Sequence, residues 1–165
     1  MPVSADILRS YRAPREVVGR MLAEGQREDR ALVTLALACF LFFVAQVPAL
    51  RRMAILDDSI PFEGRVAGAL AATLFFLPLL CYGLAALSQL ALRAAGLRAS
   101  WHGTRLALFW ALLAVSPLVL LHGALSGVLG PDGPVAALGL LVFVAFAAIW
   151  ISGLRAAIRD AAAAR

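Results

Sequence analysis

The chain has 165 residues, 62% of them hydrophobic, and a net charge of +5. Its mean hydropathy of +0.88 lies far above that of a soluble domain, where about half the residues are apolar. All fifteen basic residues are arginine, with no lysine and no asparagine, a bias we read as that of a high-GC bacterial genome. Arginines beside apolar runs are topological signals, so no nucleic-acid partner is expected.

The chain opens on a polar arm, residues 1–30. Ser4 is placed to cap a short helix whose apolar side holds Ile7, Leu8 and Tyr11. The strip "RAPREVVGRMLAEGQREDR" at 12–30 follows. Pro14 suits a first helical turn, where its missing N–H is not needed. Val17, Val18, Met21 and Leu22 then fall on one face, and Glu16 stands four residues before Arg20 in the favourable order. Gly25 is a natural stop. The spacing predicts an amphipathic helix over 14–24, lying at the membrane interface with its apolar side against lipid or the bundle. Arg12, Pro14, Arg15, Val18, Arg20 and Met21 are the candidate interfacial or partner-docking residues. "GQREDR" at 25–30 is the expected polar break.

Four apolar runs follow, each near the roughly 20 residues that cross a hydrocarbon core. They are 31–50, 66–92, 106–129 and 135–154, and none holds Arg, Asp or Glu. The first begins too late and runs too long for a cleavable leader. Between them lie "RRMAILDDSIPFEGR" (51–65), "RAAGLRASWHGTR" (93–105) and the tight turn "GPDGP" (130–134). The tail, 155–165, is rich in helix formers and extends the fourth helix. The expected fold is an all-α membrane protein, a bundle of four transmembrane helices with an N-terminal amphipathic interfacial helix.

An even number of spans puts both termini on one side. That side holds twelve arginines and the other three, Arg51, Arg52 and Arg65. The excess predicts both termini in the cytoplasm, with the three minority arginines offset by Asp57, Asp58 and Glu63.

The spans contain little chemistry. Without an intramembrane carboxylate there is no proton relay. His102 and His122 stand about 30 Å apart on a continuous helix and cannot share a metal or haem. Cys39 and Cys81 lie in apolar runs as small buried hydrophobes. No nucleophile–base pair or phosphate loop occurs, so no catalytic residue, cofactor or metal is expected. Pro78 and Pro117 are helix-kink candidates. Gly64, Gly68 and Ala72 form one small-residue strip, and Gly123 with Gly127 another.

The arm "YRAPREVVGRMLAEGQRED" followed by four closely set, proline-containing spans resembles bacterial members of the Yip family of Ypt/Rab-interacting membrane proteins. Eukaryotic relatives have five spans and an Asp-Leu-Tyr-Gly-Pro motif that this chain lacks. Only "CYG" at Cys81–Gly83 approaches the family's Gly-Tyr-Gly motif, so Rab binding does not carry over. The resemblance implies a non-enzymatic polytopic protein. From the sequence, the leading function is an integral protein of a bacterial inner membrane that organises or binds protein partners, lipid or copies of itself. The alternatives are a small permease-like protein for an uncharged or lipid-like solute, and an accessory subunit of a respiratory or photosynthetic complex.

Overall fold

The computed structural model describes residues 3–25 and 27–163. Two short helices, α1 (Val3–Ser10) and α2 (Pro14–Ala23), form the arm. They are followed by α3 (Glu28–Leu56), α4 (Phe62–Ala71), a π-helical stretch (Ala72–Phe76), α5 (Leu77–Ala94), α6 (Trp101–Leu129) and α7 (Pro134–Ala163). The described residues contain no strand. Four helices are long and apolar enough to cross a membrane: α3, the continuous α4–α5 rod (Phe62–Ala94), α6 and α7. This is the architecture of a multi-pass membrane protein.

Each helix overruns its apolar run. At 1.5 Å per residue, 29 residues span about 43 Å against about 30 Å of hydrocarbon. Arg51–Leu56, expected in a loop, is the last turn and a half of α3. The 93–105 joint shrinks to residues 95–100, because α5 runs to Ala94 and α6 starts at Trp101. Apolar runs mark where lipid ends; an established helix continues past that point, since each added residue costs little. Ser4 is likewise already inside α1 and does not precede it. The tail continues α7 as far as Ala163.

α6 is the axis. Two-thirds (67%) of its 18-residue apolar stretch is buried, against 33% for α3, 17% for α4–α5 and 11% for α7. From Leu106 to Ser116 every residue is buried. α3 runs parallel to α6 and makes the most extensive helix contact in the molecule, with α7 second; α5 and the arm cover the remaining sides. Since α3 faces α6 on one side, its buried positions recur at Ala31, Thr34, Leu35, Ala38, Cys39 and Ala45, the period of a single helix stripe.

Close approach is set by glycine. A Cβ on Gly123 would collide with the backbone carbonyl of Ala45, and one on Gly127 would lie 2.5 Å from Pro48 Cβ. In lipid, where apolar surface has no incentive to leave its solvent, such close contact supplies much of the helix association. The other small-residue strip is different: a Cβ on Gly68 would meet nothing within 4 Å, and one on Gly64 would meet only Ile60 and Pro61 on its own chain segment.

The prolines are accommodated locally. Pro117 cannot donate to Leu113 O; the hydroxyl of Ser116 donates to that carbonyl at 2.8 Å, and α6 stays continuous. Before Pro78 the ladder shifts to π spacing, with Leu77 N–H donating to Ala72 O. Inside that stretch, Thr73 accepts from Gln46 Nε2 at 2.9 Å, a neutral polar tie to α3. A third helical proline, Pro48 in α3, forms the surface against Gly127.

At the end carrying the 130–133 turn, all three minority arginines are engaged. Arg52 Nη1 donates to Val128 O at 3.1 Å, at the carbonyl-rich end of α6. Arg65 donates to Asp57 O and Oδ2 and to Ile60 O. Arg51 lies 5.4 Å from the Phe62 ring centroid. The offset expected from acids is therefore real for Arg65, whereas Arg52 is held by a helix terminus. The Asp57 carboxyl pKa is held down to about 2 by hydrogen bonds from Ser59 and then Arg65. Cys39 and Cys81 are buried free thiols.

The glycine contrast is measurable. Gly123→Ala should push α3 from α6 and cost about 1–3 kcal/mol, whereas Gly68→Ala should leave stability unchanged or raise it by up to about 1 kcal/mol through helix propensity. Unfolding midpoints of the two variants in one detergent check the opposite signs.

Candidate functional site at the arm–bundle junction

The arm is built into the bundle. In α2, Val17, Val18 and Leu22 are buried, and Met21 is partly so, packed against the core. Val18 meets the slot left by Gly153 on α7, and Leu22 the slot left by Gly103 on α6. The amphipathic face predicted over 14–24 is thus covered by α6 and α7, and lipid does not cover it. Each fully buried Val or Leu contributes about 1.5–3 kcal/mol where water is the alternative. α2 ends at Ala23, and Gly25 takes the left-handed backbone (φ +95) that turns the chain toward α3.

α1 is fastened by two bonds to the buried half of α6. Trp110 Nε1–H donates to Ser10 Oγ at 2.9 Å, and Ser10 in turn donates to Asp6 O at 2.8 Å. Tyr11 Oη donates to Ala114 O at 2.8 Å, and burial pushes its phenol pKa up, which keeps the donated proton in place. Ala114 lies 13 residues into α6, so Tyr11 anchors about 20 Å along that helix. Leu8 points out, 72% exposed, although the sequence places it on the apolar side with Ile7.

Charge is paired along the junction. Arg20 bonds Asp6, which is buried, and Arg30 bonds Glu24 across the α2–α3 turn. Glu28 Oε1 lies 3.1 Å from His102 Nδ1 and accepts from Arg105 Nη2 at 2.6 Å, joining α3 to α6. Gln89 on α5 accepts from Thr104 at 2.6 Å and donates to Ala99 O at 2.8 Å. Between the arm, α3 and α6 a cavity of about 200 Å³ remains, with Asp6, Arg20, Glu24 and Arg30 at its polar end and Leu37, Trp110 and Leu113 at its apolar end.

The predicted site residues thus divide. Val18 is core, Met21 and Arg20 line the cavity, and Pro14 begins α2. Arg12 and Arg15 are exposed on the outer face. Pro78 and Pro117 belong to the spans and line neither this cavity nor the groove bordered by Phe42, Val119 and Phe146. Sequence reasoning missed Ser10, Trp110 and Glu28. A tryptophan amid "LALFWALL" has no polar neighbour in the chain, and its N–H requires a partner supplied by another segment. Among the described residues no group of three or more His, Cys, Asp or Glu could hold a metal ion.

No family model, curated protein or solved structure matches the chain.

Breaking the two α1 anchors should loosen α1 while α2 and the spans stay packed. Tyr11→Phe and Trp110→Phe should each cost about 0.5–1.5 kcal/mol. Trypsin cleavage after Arg12 should accelerate about five-fold per bond lost, with little change in the unfolding midpoint of the bundle.

Proposed function

We propose that this is a non-enzymatic protein of a bacterial inner membrane that binds membrane partners or lipid through its N-terminal arm, with both termini in the cytoplasm. The observation that carries it is how the arm is used. Its apolar face is covered by α6 and α7, and what it presents outward is a surface with Arg12, Arg15 and Leu8 exposed and Arg9 paired with Glu16 at 3.0 Å. A simple lipid anchor would offer the apolar face to the bilayer; here the apolar face holds the arm in one orientation. Exposed arginines on a helix packed in one orientation, with a neighbouring apolar side chain, supply the chemistry of a recognition surface. The resemblance to bacterial Yip-family proteins in arm and span layout supports a non-catalytic role. The arginine distribution supports the orientation, and it gains weight because the three minority arginines each have a local structural partner.

Two measurements test this reading. Single cysteines at Ser59 and Ala95, both exposed loop positions, with Cys39 and Cys81 replaced, report topology through an impermeant thiol reagent. Ser59 should label on intact cells with a permeabilised outer membrane and Ala95 only after lysis; the reverse pattern sinks the orientation. For recognition, Arg12→Lys with Arg15→Lys should lower recovery of a co-purifying partner about ten-fold at unchanged protein stability, because lysine keeps the charge and loses the planar fork. Recovery equal to wild type removes the arm as a recognition surface.

A further inference from the structure

The cavity beside the arm is a slot with a direction. α3 and α6 run parallel along its length. Arg30 stands at one end on α3 and Leu37 at the other; on α6, Leu106 and Leu113 mark the same two levels. Seven helical residues separate the levels on each, about 10 Å. The slot is therefore charged at the level where the helices leave their apolar runs and apolar one step deeper. Its lip is open and greasy, with Val3, Val33 and Leu37 exposed by 50%, 66% and 41%. An apolar lip beside an apolar helix face admits a molecule from the hydrocarbon side more readily than from water.

The polar end selects by charge. It holds two guanidinium–carboxylate pairs, Arg20–Asp6 and Arg30–Glu24, and is neutral in sum. The Arg30–Glu24 pair is about half exposed on both sides, so opening it costs little. A single anion placed there would satisfy Arg30 and strand Glu24, and a single cation would do the reverse. A zwitterion replaces one pair by two: a phosphate on the guanidinium fork and an ammonium on the carboxylate. A primary ammonium has three N–H donors for Glu24, whereas a trimethylated nitrogen has none.

We propose that this slot binds one bilayer phospholipid carrying a phosphate and a primary ammonium. Its phosphate sits on Arg30, its ammonium on Glu24, and a segment of one acyl chain enters past Leu37 toward Trp110 and Leu113. At about 200 Å³ the cavity is smaller than sites that enclose a whole ligand, so the rest of the lipid stays in the bilayer. The proposal deepens the reading of the arm as a binding element and rests on its membrane location. The headgroup would engage the same Glu24–Arg30 pair that ties α2 to α3.

The test is native mass spectrometry of the full chain released from nanodiscs holding equal fractions of phosphatidylethanolamine, phosphatidylcholine and phosphatidylglycerol with matched acyl chains. The expected result is one retained phosphatidylethanolamine, at least five-fold over either competitor. Glu24→Gln should reverse the preference toward the anionic phosphatidylglycerol, because Arg30 is then the only member of its pair left to satisfy. That reversal is a readout that unfolding cannot mimic. Leu37→Trp, at a half-exposed position on the lip, should fill the slot and abolish retention of all three. Equal retention of the three headgroups by wild type, or an unchanged preference in Glu24→Gln, overturns the proposal. The Arg12→Lys, Arg15→Lys protein separates the two readings: its lipid retention should match wild type, so loss of partner recovery and loss of lipid selectivity report on different surfaces.

Discussion

Everything in this molecule is arranged around one constraint: the first half of α6 must be enclosed on all sides. Leu106–Ser116 is buried throughout, yet a helix in a four-span bundle normally keeps a lipid-facing stripe. Three neighbours, α3, α5 and α7, leave part of the surface uncovered, and the arm closes it. That accounts for the apolar face of α2 and for the depth at which Tyr11 is anchored. It also explains why His102, Thr104 and Trp110, polar groups on a buried helix, each find a partner on a different element. An unpaired polar group at such a position costs more than its hydrogen bond gains.

The second half of α6 obeys another rule. Beyond Pro117 the arm is absent and the helix is held mainly by α3 and α7. Here glycine lets backbones approach, at Gly123 and Gly127 toward α3, and at Gly139 it leaves room for the His122 ring, which an added Cβ would meet at 3.1 Å. The outer faces of α7 and of the α4–α5 rod stay exposed and apolar, as a lipid solvent requires. The arm end of the bundle is thus stapled by ion pairs and buried valines, and the far half by close contacts across small residues together with the Arg52 and Arg65 bonds at its end. Paired carboxylates are concentrated at the arm end, where Asp6, Glu16, Glu24 and Glu28 pair with arginine or histidine, while Asp57 pairs with Arg65 at the other.

The arm is where the architecture and the proposed binding meet. Its inward face is committed to packing, so the residues able to meet another molecule are those left over: an outer basic face and a charged mouth over an apolar slot. Because one helix carries both kinds of residue, Val18 and Arg15, three positions apart, have unrelated tasks. A sequence moment reports that two faces exist and is silent on which solvent or surface each one meets.

The sequence alone determined the class, the number of spans, the tight turn at 130–134 and the existence of α2. These follow from hydropathy and local backbone chemistry: long apolar runs, a Gly-Pro-Asp cluster, a proline at a helix start. It could not give the helix ends, since leaving lipid does not terminate a helix, and it could not give the partner of any buried polar group. Ser10 and Trp110 are 100 residues apart, and Glu28 and His102 are 74 apart. Nor could it say which small-residue strip forms an interface. Gly64–Gly68 and Gly123–Gly127 have the same spacing, and only the second meets a neighbouring backbone. Those choices depend on which faces the tertiary packing of α6 brings together, and a one-dimensional pattern contains periods along one helix but no distance to another.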